Sequence, residues 1–202
     1  MKYVLASSSP RRKDLLSIFN LDLSLASHSF DEQKVEMNIG PKDYCEIISR
    51  GKASSLSESY DNMVIIAADT IVVVGNKILG KPNNESEAIE MLELLSDREH
   101  KVITGVNLLY RLKKINFSFS EETSVVFNKI DRNEIKYYVK KYKPLDKSGS
   151  YGIQDFSAIF VKSIKGCFFN VVGLPLFSLF YHLKRLELVQ FPLNTDSRIN
   201  KL

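Results

Sequence analysis

One stretch of the chain, MVIIAADTIVVV at residues 63–74, limits the possible folds more than any other. It is a run of apolar and small residues that is interrupted only by Asp69 and Thr70. Such a run of Val and Ile is typical of a strand that is covered on both faces, as in α/β proteins. The Gly75-Asn76 pair that follows predicts a hairpin turn. We therefore expect an α/β fold built around this strand.

Other segments alternate between strand and helix patterns. Strands are predicted at residues 3–6, 101–112 and 117–128, with the last two paired around Lys113-Lys114, and also at SAIFVKSI (157–164) and CFFNVVG (167–173). Helices are predicted from a Ser9 cap and Pro10 onward, and at 42–56, 83–97, 131–142 and 174–188. Together these segments predict an α/β fold with a mixed central sheet flanked by helices. We expect one domain over residues 1–189 and a polar tail over 190–202.

The composition is that of an ordinary globular protein. The 202 residues are 44% apolar and 26% charged, and the net charge of +4 does not by itself indicate a nucleic-acid partner. No apolar run reaches the roughly 18 residues that a membrane span needs. Cys45 and Cys167 are far apart, and the first residues lack a signal-peptide pattern, so we expect a cytoplasmic protein.

The stretch LASSSPRRKDLL places Arg11 and Arg12 at the start of a helix. Cations are unfavourable there, because the unpaired N–H groups give the helix start a partial positive charge. A serine-rich turn, free N–H groups and two guanidinium groups would form a cradle for a phosphate. The alternative is that the arginines face solvent and pair with Asp14 or another carboxylate.

Asp69 is a second residue in an unfavourable position, because a carboxylate inside an apolar strand is costly unless it is paired or binds a ligand. A structural role in turning the chain is the alternative. Glu32, next to Asp31, could bind a divalent metal. Lys52 and Lys81 could each contact a phosphate, or could be ordinary surface lysines. Gln154 follows Gly149 and Gly152, which let the backbone approach a ligand; the alternative is an ordinary glutamine of a turn. The histidines and cysteines show no metal-ligand spacing, and the known phosphate-loop and dinucleotide motifs are absent from the sequence.

Taken together, these stretches resemble the Maf family of nucleoside triphosphate pyrophosphatases. The matching segments are LASSSPRRKDLL, DEQ, GKA, AADTIVVV, LGKP, HKVITGV, PLDKSGSYGIQ and NVVGLP, in the family's order. The resemblance implies an α/β fold like that of inosine triphosphate pyrophosphatases, with two lobes around a cleft, and a homodimer. It also implies hydrolysis of a nucleoside triphosphate to a monophosphate and pyrophosphate with Mg²⁺ or Mn²⁺.

The resemblance also implies roles for individual residues. The family's phosphate-binding positions fall on Ser7, Ser9, Arg11 and Arg12; its catalytic positions fall on Asp69, Glu32, Lys52 and Lys81. Glu32 and Asp69 would hold the metal, and either could activate the attacking water. The Asp69-Thr70 pair and Gln154 resemble the branch that acts on dTTP and UTP, with Thr70 and Gln154 at the base. Ser148, Ser150 and Asp155 depart from the family, which more often has Ala, Ala and Gly there.

Two other classes of function remain open. A nucleotide-binding regulator of cell division would bind dTTP or UTP without releasing pyrophosphate. A nucleic-acid-binding module would use the basic pairs Lys113-Lys114 and Lys140-Lys141 and would show steep salt dependence. Because these runs are short and lack stacking platforms, we expect no nucleic-acid partner and no membrane partner.

Overall fold

The computed structural model describes residues 1–36 and 39–190. Within these ranges seven strands form one sheet in the order β2-β1-β3-β5-β6-β7, with β4 paired to β3. The strands are β1 (Lys2–Ala6), β2 (Asp22–Ala26), β3 (Val64–Val74), β4 (Lys77–Leu79), β5 (Glu99–Tyr110), β6 (Ile115–Phe127) and β7 (Val161–Lys165). The helices are α1 (Pro10–Ser17), α2 (Pro41–Ser54), α3 (Glu85–Leu95), α4 (Arg132–Tyr142), α5 (Phe168–Val172) and α6 (Leu176–Arg185). The predicted polar tail, apart from Gln190, lies outside the described residues.

The sheet is mixed, as predicted. Strand β1 runs parallel to β2 and β3, whereas β3, β5, β6 and β7 pair antiparallel in turn. Strand β1 pairs with β3 only from Tyr3–Val64 to Leu5–Ile66, and β3 continues beyond the end of β1. The chain that leaves β1 therefore enters α1 beside the middle of β3. In this parallel part of the sheet, the carboxyl end of β1 opens onto the kind of crevice where α/β proteins bind ligands.

The core divides at the middle of β3. On one face of the sheet, Val64, Ile66 and Ala68 pack with α1 and α6, whereas Val72 and Val74 pack with α3 and α4. On the other face, the two halves of β3 pack on different parts of α2. Ile65 and Ala67 pack near its last turn, at Ala53 and the following Leu56, whereas Ile71 and Val73 pack near Tyr44, Cys45 and Ile48. Both divisions fall at Asp69–Thr70, so the sheet supports two packed halves with a cleft between them.

The predicted strand CFFNVVG is wrong, because residues Phe168–Val172 form the short helix α5. Its aromatic and β-branched residues favour a strand, but buried contacts of Asn170 override that preference. The Asn170 side chain donates to the Val102 carbonyl (3.0 Å) and the Thr123 hydroxyl (3.0 Å). Gly173, with φ of 121°, then ends the helix.

Two further segments differ from the prediction. The SAIFVKSI stretch begins as a 3₁₀ helix over Phe156–Phe160, and only β7 from Val161 is a strand. Strand β2 was not predicted, although Leu23 and Leu25 alternate with Asp22 and Ser24, because it is a short edge strand with largely exposed residues. The other predicted strands and helices are confirmed, with ends that shift by a few residues. Among the described residues, every helix is too short or too polar to cross a membrane.

Candidate active site

A cleft of about 490 Å³ opens at the break in the core. Ten residues were singled out from the sequence for binding or catalysis, and all ten line this cleft: Ser7, Ser9, Arg11, Arg12, Glu32, Lys52, Asp69, Thr70, Lys81 and Gln154. They come from β1 and the start of α1, the loop after β2, α2, β3, the segment after β4 and the loop before β7. The fold therefore brings together residues that are up to about 150 positions apart in sequence.

Lys52 lies between two carboxylates at the floor of the cleft. Its Nζ is 2.7 Å from Oδ1 of Asp69 and 3.1 Å from Oε1 of Glu32. The Lys52 side chain is 6% exposed and that of Asp69 is 13% exposed, so this pair is largely shielded from water. Glu32, at 39%, lies nearer the solvent. The buried carboxylate in β3 is thus paired, which removes most of the cost of placing it there.

Two glycines let the elements around this cluster approach closely. A Cβ at Gly105 of β5, which pairs with Asp69, would overlap the backbone of Cys45, so α2 packs directly on the sheet. A Cβ at Gly51 of α2 would overlap the ring of Phe30. Gly51, which intrinsically weakens the helix, therefore lets Phe30 pack against α2 and brings the Glu32 loop over Lys52.

Arg12 is held by groups of the fold. Its guanidinium donates to the Gly173 carbonyl (2.9 Å), the Thr70 hydroxyl (3.0 Å) and the Ser7 hydroxyl (3.4 Å). The Thr70 hydroxyl in turn contacts that of Thr104 at 2.9 Å. Burial lowers the pKa of Arg12 and the nearby Asp69 charge raises it, and the guanidinium remains charged at neutral pH. Its orientation is set before any ligand arrives.

Arg11 pairs with a carboxylate, but with Asp146 rather than Asp14. Its Nη1 is 2.8 Å from Oδ2 of Asp146, and Nζ of Lys147 is 2.8 Å from the other oxygen of the same carboxylate. One anion therefore holds two cations at the edge of the cleft. Arg11 thus pairs with a carboxylate, as the alternative expected, but its side chain is 25% exposed and lines the cleft rather than facing open solvent.

The start of α1 keeps its donors free for a ligand. Ser9 occupies the N-cap position as predicted, but its side chain makes no capping hydrogen bond, and the first turn carries no acidic residue. Pro10 follows at the first helical position. Arginines, an uncapped helix start and the hydroxyls of Ser7 and Ser9 all face the same cleft. This combination is suited to an anion, since N–H groups and guanidinium groups are both good phosphate donors.

The loop before β7 forms the opposite side of the cleft. Ser148 donates to the Thr70 carbonyl (2.7 Å), and the Gly149 N–H donates to the Gly80 carbonyl (3.0 Å). These bonds attach the loop to β3 and to the segment that carries Lys81. Lys81 and Gln154 are exposed in the cleft and make no ion pair or hydrogen bond with the residues that the structure describes. Both side chains are available to a ligand.

The prediction from sequence missed several cleft residues, among them His28, Asp146, Lys147 and Tyr151. Asp146 and Lys147 belong to PLDKSGSYGIQ, one of the segments that resemble the family. That segment could have pointed to them, although residue type alone singles out neither. His28 lies 3.7 Å from Glu32. Burial lowers the pKa of His28, Lys52 lowers it further, and Glu32 partly offsets both. Its loop position carries no periodic pattern that could have revealed the contact.

The described residues contain no cluster of three or more metal-ligating side chains. Glu32 and Asp69 each use one oxygen on Lys52. Their other oxygens make no hydrogen bond within the described chain, and both residues face the cleft. Two carboxylates beside a phosphate site are the protein ligands that Mg²⁺ or Mn²⁺ commonly uses, since substrate phosphates and water supply the rest. The residues present therefore fit a metal that binds together with its substrate.

The comparison with known proteins covers the residues that form the cleft. The sequence profile of the Maf family, described as Maf-like protein, matches residues 2–186. The chain belongs to the Maf family. The match spans every element that lines the cleft, from β1 to α5, so the predicted family is confirmed.

Relatives in this family are similar over most of their length. A dTTP/UTP pyrophosphatase of Clostridium botulinum (strain Alaska E43 / Type E3) is 44% identical over 177 residues, which cover 87% of this Maf chain and 94% of the relative. A dTTP/UTP pyrophosphatase of Clostridium beijerinckii is 41% identical over 188 residues, which cover 93% and 100%. Among solved structures, a HAM1 protein from Coxiella burnetii aligns with a TM-score of 0.47 and 15% identity, covering 92% of this chain and 99% of that one.

Proposed function

We propose that this Maf family member hydrolyses UTP and dTTP to the nucleoside monophosphate and pyrophosphate. The observation that carries the proposal is the cluster of Lys52, Asp69 and Glu32 on the floor of a cleft whose rim is lined by arginine and lysine. A cation-lined rim suits a polyphosphate, and a shielded carboxylate beneath it suits the activation of water. The names of the similar clostridial proteins support the choice of substrate.

The phosphate chain would bind along α1 and the facing loop. Arg12 is already oriented, so it can contact phosphate oxygens at little entropic cost. At the rim, Lys81 makes no ion pair with the described residues and Arg11 is paired with Asp146, and both can place positive charge near the departing pyrophosphate. Ser7, Ser9 and the free N–H groups of α1 add neutral donors. The repulsion between the two arginines and the helix start is relieved once the anion is bound.

Asp69 would accept a proton from the water that attacks the α-phosphorus. Lys52 holds the Asp69 carboxylate through the 2.7 Å contact to Oδ1, which leaves Oδ2 for the water. Glu32 contacts the same ammonium from the solvent side. Because both carboxylates lie beside Lys52, Glu32 could exchange roles with Asp69 as the base. Electrons from the water oxygen form the new bond to phosphorus, and the bond to the pyrophosphate oxygen breaks.

Glu32 and Asp69 would also hold Mg²⁺ or Mn²⁺. When bound, such a cation supplies positive charge to the phosphate oxygens and lowers the pKa of coordinated water. The protein's own contribution is to place two carboxylate oxygens next to the phosphate donors of α1.

Gln154 would read the base. Its exposed amide offers one donor face and one acceptor, which match the imide edge of uracil or thymine. Thr70 was predicted to complete the base pocket, and its hydroxyl contacts Arg12 and Thr104. These contacts support a further role for Thr70 in orienting a phosphate-binding arginine.

The same proposal includes a homodimer that acts in the cytoplasm without a nucleic-acid partner. Cys45 and Cys167 are both free thiols, which suits a reducing compartment. The proposed function requires one binding site for a polyanion, and the cleft provides it.

Pyrophosphate release from UTP, dTTP, CTP, ATP and GTP with Mg²⁺ tests this proposal. We expect the wild type to release pyrophosphate from UTP and dTTP, and Asp69→Asn to reduce kcat by about 10²-fold or more because the base is lost. Asp14→Asn, which removes an exposed carboxylate of α1 outside the cleft, is the control and should keep the full rate. Tight binding of UTP without pyrophosphate release would instead favour the non-hydrolysing regulator.

A further inference from the structure

The turn at residues 152–155 presents Gln154 to the cleft. The Gln154 side chain makes no hydrogen bond to any residue that the structure describes, so only the backbone of the turn can direct it. The Asp155 N–H donates to the Gly152 carbonyl at 3.0 Å and closes this turn. What fixes the turn therefore fixes where the Gln154 amide can reach.

Asp155 is the centre of the hydrogen bonds that fix the turn. Its carboxylate accepts from the Ser157 N–H (3.0 Å) and the Ser157 hydroxyl (2.7 Å), and it caps the 3₁₀ helix over Phe156–Phe160. The Tyr138 hydroxyl of α4 donates to both carboxylate oxygens at 3.3 Å. The Gly152 N–H in turn donates to the Ser157 hydroxyl at 3.1 Å. One carboxylate thus connects both ends of the turn to α4.

The Asp155 carboxylate is not among the groups that line the cleft in the described structure. It contacts α4 on one side, and its Oδ2 lies 3.8 Å from Nζ of Lys147 on the other. Lys147 contacts Asp146, which holds Arg11. The carboxylate next to Gln154 therefore does not compete for the base, and it is linked through charges to the phosphate-binding side.

We propose that Asp155 is a positioning residue that sets the orientation of Gln154 and thereby the preference of the cleft for uracil over cytosine. This inference rests on the proposed function, in which Gln154 reads the base. A glutamine amide can match either base, because rotation by 180° exchanges its donor and its acceptor. Uracil presents a donor between two acceptors, whereas cytosine presents an acceptor and an amino donor. Discrimination therefore depends on the position and direction from which the amide approaches the base, which the turn sets through the backbone of Gln154.

The test compares dissociation constants for UTP and CTP, measured by titration calorimetry without metal, in the wild type and three variants. Asp155→Ala removes the acceptor for all three donors, Asp155→Asn keeps one acceptor oxygen, and Tyr138→Phe removes only the α4 donor. We expect the wild type to prefer UTP, and Asp155→Ala to reduce the UTP:CTP preference by roughly tenfold. The UTP:CTP preference of Asp155→Asn and of Tyr138→Phe should lie between those of the wild type and Asp155→Ala. In all three variants the lost affinity should be mainly that for UTP.

The same preference can be measured at steady state as the ratio of kcat/KM for UTP to that for CTP. In Asp155→Ala we expect this ratio to fall through a higher KM for UTP, with kcat unchanged. Glu93→Gln, which breaks a surface ion pair with Arg132 far along the chain from the turn, is the control and should keep the wild-type preference. Equal losses for UTP and CTP in Asp155→Ala, or a wild type without preference, would overturn the inference. Absence of turnover with an intact binding preference would instead contradict only the proposed hydrolysis.

Discussion

Lys52 is the most shielded charge of the cleft, and both acidic residues of the floor depend on it. It donates to Asp69 and contacts Glu32, whereas at the rim Lys81 is available for phosphates and Arg11 is paired with Asp146. Resemblance to the family placed a functional lysine at this position, and a phosphate partner was the expectation from residue type. The contact with two carboxylates could not be read from the sequence, because it depends on how closely α2 approaches β3.

Replacing Lys52 by Met tests this pairing. The variant leaves the shielded carboxylate of Asp69, and the more exposed one of Glu32, without their cation, so we expect the free energy of unfolding at pH 7 to fall by about 3 kcal/mol. Urea denaturation is the measurement, and Lys42→Met is the matched control, since Lys42 lies on the same helix with an exposed side chain. The control should change stability by no more than about 0.5 kcal/mol. Equal urea midpoints for the two variants would show that the Lys52 contacts contribute little.

At the scale of the elements, the site depends on how closely α2 packs on β5. Gly105 stands opposite Asp69 in the sheet and in contact with the backbone of Cys45, so the helix that carries Lys52 lies directly on the strand pair that carries Asp69. Gly51 has the same effect toward Phe30. Gly51 lies within α2 and Gly105 within β5, and neither has a positive φ angle, so their role is to allow close packing.

Gly105→Ala should separate these elements. The added methyl group overlaps backbone, which cannot rotate away, so we expect a loss of about 2–3 kcal/mol in the free energy of unfolding. Pyrophosphate release should fall in the same variant, because Lys52 moves away from Asp69. Gly80→Ala is the control for stability, since a Cβ there meets no atom within 4 Å. A Gly105→Ala protein as stable and active as the wild type would contradict the account of close packing.

Much of the element pattern could be predicted from local sequence. The long apolar run predicts β3, and α3 and α4 begin near the predicted starts, where Asn84 and Asp131 cap them. The segment at Phe168–Val172 was predicted as a strand because its preference is local, whereas the bonds of Asn170 to β5 and β6 come from tertiary structure. Residue chemistry indicated the two arginines and Asp69 most clearly, and Glu32, Lys52, Lys81 and Gln154 were further candidates. The resemblance supplied the roles of these residues and added Ser7, Ser9 and Thr70. The Arg11–Asp146 pair joins positions 135 apart and has no local signal.

At the scale of the whole molecule, the half of the core that packs with α3 and α4 contains a buried histidine behind one wall of the cleft. His100 of β5 is 1% exposed, and its Nε2 lies 2.8 Å from the hydroxyl of Tyr151, which lines the cleft. The rings of His100, Phe127 and Tyr151 pack edge to face. Burial lowers the pKa of His100 to about 4, so the imidazole is neutral at pH 7.

This histidine makes stability depend on pH. Because its pKa in the folded state lies below the unfolded value of about 6.5, the unfolded chain binds more protons between pH 6.5 and 4, and stability falls as pH falls through that window. Its contribution is at most about 3 kcal/mol. We expect urea midpoints to fall less steeply between pH 7 and 4 in His100→Gln than in the wild type. The same slope in both proteins would place the pH dependence elsewhere.

The central claim is that water, activated at the floor of the cleft, attacks the α-phosphorus of a pyrimidine triphosphate. Hydrolysis of UTP in H₂¹⁸O, with mass analysis of both products, tests this claim most directly. The account predicts one ¹⁸O in UMP and none in pyrophosphate, at a rate that Asp69→Asn reduces by about 10²-fold or more. Label in pyrophosphate, or release of UDP and inorganic phosphate, would contradict it.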